Sequence, residues 1–218
     1  MRTLLPIASI AAALIAAPAP APAQDSPFVG EYAIAEGPDA GGGLLIRGDG
    51  RFQYYFVAGA FDERAEGRWE MRGAMICLTT DPKPVPPAMK KGPLIKTEGK
   101  IPTLFVTWPN GEGVAGVDFV IGFDSGAPAE DYTQYDGWTM PEGDTRLPRW
   151  VELREPIYGI TAPRYELTEA DGGRLRVIIE PNDIGVADFD GACAEKTERG
   201  LTLLRGEGSM RFVPLGQE

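Results

Sequence analysis

Apolar and polar residues alternate along much of the chain with the two-residue period of half-buried β-strands. Residues 51–57 (RFQYYFV) place Phe52, Tyr54 and Phe56 on one face, because successive side chains of a strand point to opposite sides of the sheet. The turn sequence at 48–50 (GDG) predicts a hairpin between this strand and residues 44–47. The other predicted strands are residues 28–34, 67–72, 74–80, 103–107, 117–123, 150–154, 165–168, 174–180, 201–205 and 210–213.

Composition favours strands and turns over helices. The chain has 28 Gly and 20 Pro among 218 residues, and both residue types weaken a helix interior. Only residues 192–199 have the composition of a short helix. We therefore predict an all-β protein in which a small antiparallel N-terminal sheet is followed by a C-terminal β-sandwich, with little helix.

One stretch rich in proline and lysine divides the chain. Residues 81–100 contain five prolines and five of the six lysines, a composition typical of a stiff, extended connector. The predicted organisation is therefore a signal peptide at 1–23, a small antiparallel β module at 24–80, the connector at 81–100 and a β-sandwich module at 101–218.

The first 23 residues have the pattern of a secretory signal. A short positive start is followed by an apolar run at 4–17 and by the small-residue sequence Ala21-Pro22-Ala23. The apolar run has about 14 residues, whereas a spanning helix needs about 20. We expect an exported protein, periplasmic or extracellular, with no transmembrane segment in the mature chain.

Export bears on the two cysteines. Cys77 and Cys193 form an even pair, and disulfides persist in oxidising compartments, so the two residues are a candidate disulfide. The alternative is a buried free Cys77 in a strand and an unrelated Cys193 in a loop.

Charge and histidine content narrow the functional classes. The net charge is −11 and the chain contains no histidine. The acidic balance argues against a nucleic-acid partner, and the missing histidine removes the usual base of a nucleophilic triad. An enzyme is therefore less expected than a binding protein, although a pair of carboxylates for glycoside hydrolysis stays open.

Two sets of residues are candidate binding sites. Alternate acids at Asp183, Asp188 and Asp190 precede Gly191 and suggest calcium as the one candidate cofactor, because calcium prefers oxygen ligands from loops. The alternative is a solvated acidic loop.

The second set is aromatic. Tyr132, Tyr135 and Trp138 stand near Asp131 and Asp136 in a polar segment, where rings and carboxylates could hold a sugar or a peptide. The alternative places Trp138 in the core and the tyrosines at its rim.

Turn motifs within residues 99–163 resemble transthyretin-like modules of the carboxypeptidase-regulatory type. They are Asn110-Gly111, the strand at 116–121 (GVDFVI), residues 135–138 (YDGW) and Pro141-x-Gly143. This resemblance implies a β-sandwich with an accessory or adhesive role. The N-terminal module is similar in style to small lipocalin-like sheets, through Gly30-x-Tyr32, residues 49–54 (DGRFQY) and Gly67-x-Trp69.

These observations together predict an exported, non-catalytic binding or envelope-accessory protein of unknown ligand. Its partner is expected to be a protein, a peptide or a carbohydrate. The alternative is a hydrolase that uses a carboxylate pair on carbohydrate.

Overall fold

A computed structural model of the protein describes residues 26–35, 37–206 and 208–216, and the predicted signal peptide lies outside them. Five strands come first: β1 Gly30–Ile34, β2 Ala40–Ile46, β3 Arg51–Ala58, β4 Phe61–Arg72 and β5 Met75–Thr80. Eight shorter strands follow: β6 Ala88–Gly92, β7 Leu104–Thr107, β8 Asp118–Phe123, β9 Ala129–Tyr132, β10 Pro148–Glu155, β11 Ile160–Thr161, β12 Tyr165–Glu166 and β13 Leu175–Glu180. The last three are β14 Ala192–Thr197, β15 Gly200–Arg205 and β16 Gly208–Pro214.

The all-β class is confirmed. The described residues contain one short 3-10 turn, Glu169–Asp171, and no α-helix. Within the same residues, no helix combines the length and the apolar character that crossing a bilayer would require.

Eight strands close into an antiparallel barrel in the order β1-β16-β15-β14-β5-β4-β3-β2. Strands adjacent in the barrel are also consecutive in the chain, except for the two pairs β5 with β14 and β1 with β16. The alternation expected at 51–57 is present, since Phe52 and Tyr54 are buried while Gln53 and Tyr55 are exposed.

Side chains fill the barrel interior. An eight-stranded barrel is just wide enough for side chains or one small ligand. Here Phe189, which belongs to none of the strands, is fully buried inside it. Its ring centroid lies 5.8 Å from that of Phe52 and 4.9 Å from that of Tyr54. We call the Phe189 side chain the plug. Thr80 holds its backbone in place, because the Thr80 hydroxyl donates to the Ala187 carbonyl at 2.7 Å and accepts a hydrogen bond from the Phe189 amide at 3.0 Å.

The chain between β5 and β14 forms a unit of two small sheets, which we call the inserted unit. One contains β11, β10, β8 and β9 in that order, with β12 also paired to β10; the other has the order β6-β13-β7. Their apolar faces share a second core, in which Leu104 and Val177 of one sheet and Ile121 of the other are fully buried.

Three sequence expectations differ from this fold. The chain does not form a sheet followed by a sandwich, because β14 and β16 cover the two edges that a five-stranded N-terminal sheet would leave unpaired. Residues 192–197 form a strand rather than a helix, since pairing with β5 and β15 overrides a weak local preference. Part of the expected connector is β6, which pairs with β13.

The two cysteines lie directly opposite each other on β5 and β14. Their sulfur atoms are bonded, and the described residues contain no free cysteine. The bridge therefore links the first five barrel strands to the last three.

Candidate functional site

A cleft of about 370 Å³ lies where the barrel meets the inserted unit, and we call it the seam cleft. Barrel strands β4 and β15, the proline-rich segment after β5, the turn after β10 and the segment before Phe189 all contribute to it. Its lining consists of Phe61, Glu63, Lys83, Pro84, Pro86, Pro87, Tyr158, residues 183–186, Asp188 and Arg205.

An ion pair that reaches the barrel interior forms one side of the seam cleft. Arg205 donates from Nη1 to Glu63 at 2.6 Å, and the buried Tyr54 hydroxyl donates to the same carboxylate oxygen at 3.2 Å. The Glu63 side chain is 9% exposed and that of Arg205 is 37% exposed. The hydrogen bond that Arg205 donates to Glu63 raises the pKa of Arg205, whereas burial, followed by the Glu63 charge, raises the pKa of Tyr54.

Lys83 stands at the solvent side of the seam cleft between two of the aspartates predicted to bind calcium. Its Nζ lies 3.7 Å from Asp188 and 3.4 Å from Asp190. The hydrogen bond to Asp190 and the charges of both acids raise the pKa of Lys83. Asp183 accepts the Val85 amide at 2.8 Å. Asp188 and Asp190 therefore share a lysine ammonium, and no group of three metal-ligating side chains is present within the described ranges.

The segment that forms one wall is held by backbone hydrogen bonds. The Arg64 amide donates to the Gly185 carbonyl at 2.8 Å, and the Ala187 amide donates to the Arg64 carbonyl at 2.9 Å. Gly185 has φ +73°, and a Cβ there would lie 3.0 Å from the Asp62 carbonyl oxygen. Glycine thus lets this segment approach β4, and the backbone hydrogen bonds hold the wall against the barrel.

A second, more open depression covers the outer face of the sheet that contains β8, β9 and β10. We call it the sheet groove; its volume is about 670 Å³, and it is lined by Asp118–Val120, Glu130–Tyr132, Glu152–Arg154, Thr161, Ala162 and Arg164. Tyr132, Asp118 and Arg154 lie side by side on three adjacent strands. The next row places Val120 between Glu130 and Glu152.

A stacked tryptophan adjoins the sheet groove. Trp150 lies so close over Gly122 that a Cβ at that position would be 2.0 Å from its ring. Arg164 lies over the same ring, with its guanidinium carbon 3.9 Å from the ring centroid, and also pairs with Glu152 at 2.7 Å. A flat aromatic platform therefore sits beneath a cation that is itself held by a carboxylate.

The three predicted ligand-binding aromatics do not form one cluster. Tyr132 lines the sheet groove and is 54% exposed, and Tyr135 is 77% exposed on the following loop. Trp138 is half-buried against the second core, with its ring centroid 5.2 Å from that of Phe119.

Sequence reasoning missed most of the seam cleft. Phe61, Lys83, Tyr158 and Arg205 are far apart in sequence and belong to no recognisable motif. The only available signal was the concentration of lysine and proline after Thr80. Comparison with protein-family models, with curated proteins and with solved structures finds no match for this chain.

Proposed function

We propose that this chain is an exported, non-catalytic binding protein that holds an oligosaccharide in the sheet groove. The observation that carries the proposal is the row of Tyr132, Asp118 and Arg154, which places an exposed ring beside a hydrogen-bond acceptor and a hydrogen-bond donor. A sugar presents the complementary surface, with apolar C–H faces for the ring and hydroxyl groups for the charged side chains.

Size and charge also favour a sugar. The groove volume of about 670 Å³ lies within the range of about 300 to 1,000 Å³ that is common for ligand sites. The lining contains both carboxylates and guanidinium groups, so an anionic or a cationic polymer would meet like charges along part of its length. An uncharged ligand with many hydroxyl groups meets no like-charge repulsion there.

Binding can be tested with matched tyrosine variants. We would titrate the protein calorimetrically with β-1,4-linked hexamers of glucose, xylose and N-acetylglucosamine. Tyr132→Ala should weaken binding of the preferred hexamer about tenfold, since a lost ring contact costs up to about 1.5 kcal/mol. Tyr55→Ala is the control, because Tyr55 lies on the barrel and is 57% exposed against 54% for Tyr132. Equal loss in both variants, or no binding of any hexamer, would contradict the proposal.

A hydrolase is the second candidate, and one observation favours it. Glu130 and Glu152 flank Val120 on the same face, two strand spacings apart, or about 10 Å. Inverting glycosidases separate their carboxyl groups by about 6.5 to 9.5 Å. Release of reducing ends that is abolished by Glu130→Gln or Glu152→Gln would favour hydrolysis over binding.

Export is part of the proposal. It is supported by the pattern of the first 23 residues and by the bond between Cys77 and Cys193, because disulfides persist outside reducing compartments. N-terminal sequencing of the protein recovered from the extracytoplasmic fraction should begin at Gln24. Recovery of an intact N-terminus from the cytosol would contradict it.

A further inference from the structure

We infer that the seam cleft binds a small zwitterion with an apolar or aromatic body, the chemistry of a hydrophobic amino acid. This site is separate from the sheet groove and does not depend on the proposed oligosaccharide function. It lies at the junction of the barrel and the inserted unit, and junctions of this kind are common places for small-molecule sites.

The charges of the seam cleft suit a ligand that carries both signs. Two cations, Lys83 and Arg205, face three carboxylates, Glu63, Asp183 and Asp188. A ligand that brought only an anion would increase the local excess of negative charge. A ligand that brought only a cation would compete with Lys83 for Asp188. The ammonium group of a zwitterion would also take the place of Lys83 at Asp188, but its carboxylate gives Lys83 and Arg205 a new partner, and the net charge stays unchanged.

Hydrogen bonds to the described residues use only one nitrogen of the Arg205 guanidinium. Its Nη1 donates to Glu63, and the described residues contain no hydrogen-bond acceptor for its Nε or Nη2. Because Glu63 is held by both Arg205 and the Tyr54 hydroxyl, the guanidinium is fixed in place before a ligand binds. A fixed guanidinium with unused donors is well suited to a carboxylate.

The remaining walls are apolar and rigid. Phe61 and Tyr158 present rings whose centroids are 5.5 Å apart, and the Tyr158 hydroxyl donates a hydrogen bond to Asp62. Three prolines, Ile184, Gly185 and Val186 complete the lining. The volume of about 370 Å³ leaves room for one compact side chain, and a preformed wall lowers the ordering cost of binding.

Three ligands that each contain a phenyl ring but differ in charge test whether both charges are needed for binding. We would follow 15N–1H shifts of the full protein during titration with L-phenylalanine, 3-phenylpropionate and 2-phenylethylamine. Phenylalanine should bind saturably and shift the amides of residues 83, 158 and 184–188. The acid, which lacks the ammonium group, and the amine, which lacks the carboxylate, should each bind at least fivefold more weakly. L-Alanine should also bind more weakly, because it lacks the ring.

Matched lysine variants locate the site. Lys83→Gln should weaken phenylalanine binding at least fivefold, whereas Lys90→Gln should leave it unchanged, because Lys90 is similarly exposed and lies outside the seam cleft. Tyr132→Ala should also leave it unchanged, so failure here is distinguishable from failure of the sheet groove. Equal affinity for phenylalanine and phenylpropionate, or no saturable shifts up to 20 mM ligand (about 2 kcal/mol of binding free energy), would overturn the inference.

Discussion

Phe189 fills the barrel interior, although it lies outside the barrel strands. It packs against Phe52 and Tyr54 and is covered by the Arg205 guanidinium, whose carbon is 5.3 Å from the ring centroid. The plug therefore connects the apolar core to the ion pair at the seam cleft.

Truncating this side chain should leave a cavity. We expect Phe189→Ala to lower the free energy of unfolding by about 3 to 5 kcal/mol, and Phe189→Leu to cost less because it fills more of the space. Urea denaturation of the three proteins measures both effects. Toluene should raise the melting temperature of Phe189→Ala alone, since a dry apolar cavity accepts such a ligand. A cost below about 1 kcal/mol, the range of ordinary surface changes, would mean that the surrounding strands collapse onto the vacated space.

Asp171 links the turn before β13 to β6. It accepts hydrogen bonds from the Thr168 amide and hydroxyl at 2.7 and 2.9 Å and pairs closely with Lys91. The Lys91 hydrogen bond, followed by the Thr168 amide, lowers the pKa of Asp171 from 3.8 to about 2. The folded state therefore binds this proton less readily than the unfolded state does, and the resulting stability is complete above the unfolded pKa.

This stability should be lost as the pH falls from 3.8 to about 2. Asp171→Asn should lower stability at pH 7 and flatten its dependence on pH over that interval. Thermal melts at half-unit pH steps give the comparison. Asp136→Asn is the control, because Asp136 is exposed and makes no hydrogen bond or ion pair with any described residue. Parallel pH curves for the wild-type protein and Asp171→Asn would contradict the assignment.

Among the elements, the pairing of β5 with β14 joins barrel strands that the whole two-sheet unit separates in the chain. Cys77 and Cys193 sit at this pairing and are 116 residues apart. In the chain-entropy model, a bridge that closes about 100 residues stabilises the fold by at most about 4.7 kcal/mol.

Removing the bridge should therefore loosen the barrel where β5 pairs with β14. We expect the double variant Cys77→Ala/Cys193→Ala to lose about 2 to 4 kcal/mol of unfolding free energy. Each single variant should lose a similar amount, because either one removes the bond. Denaturation with and without a reductant supplies a second measure, and reductant should affect only the wild-type protein. An unchanged midpoint after verified reduction would count against this role.

The local sequence pattern predicted some strands correctly and missed others, and the difference has physical reasons. Residues 51–57 alternate strictly, so their strand and its inward face could be predicted. In β14, by contrast, Ala192 and Ala194 face inward while Glu195 and Lys196 are exposed, and alanine, glutamate and lysine also favour helices. Only pairing with β5 and β15 decides between the two. The strand β6 has a single buried side chain, Met89, among prolines and lysines, and thus shows no recognisable period.

At the scale of the whole molecule, the barrel is built from both ends of the described chain, with the two-sheet unit between them. Apart from the candidate disulfide between Cys77 and Cys193, the sequence read in order does not reveal this arrangement, because no local pattern in β5 or β14 specifies a partner more than a hundred residues away. The seam cleft was equally hidden, since it exists only where the inserted unit returns to the barrel. Tyr132 could be singled out because its exposed position followed from a polar local sequence.

The insertion predicts which parts of the chain can fold alone. Thr80 contacts both Ala187 and Phe189 through hydrogen bonds, so the two cut ends of the barrel are adjacent. Joining residue 81 to residue 187 through four Gly/Ser residues should yield a chain that unfolds cooperatively and keeps its disulfide. Residues 26–81 alone should not fold, because five strands would leave two open edges and an apolar face without β14–β16. Circular dichroism and urea denaturation distinguish the two, and cooperative unfolding of the 26–81 fragment would instead mean that the N-terminal strands are an independent module.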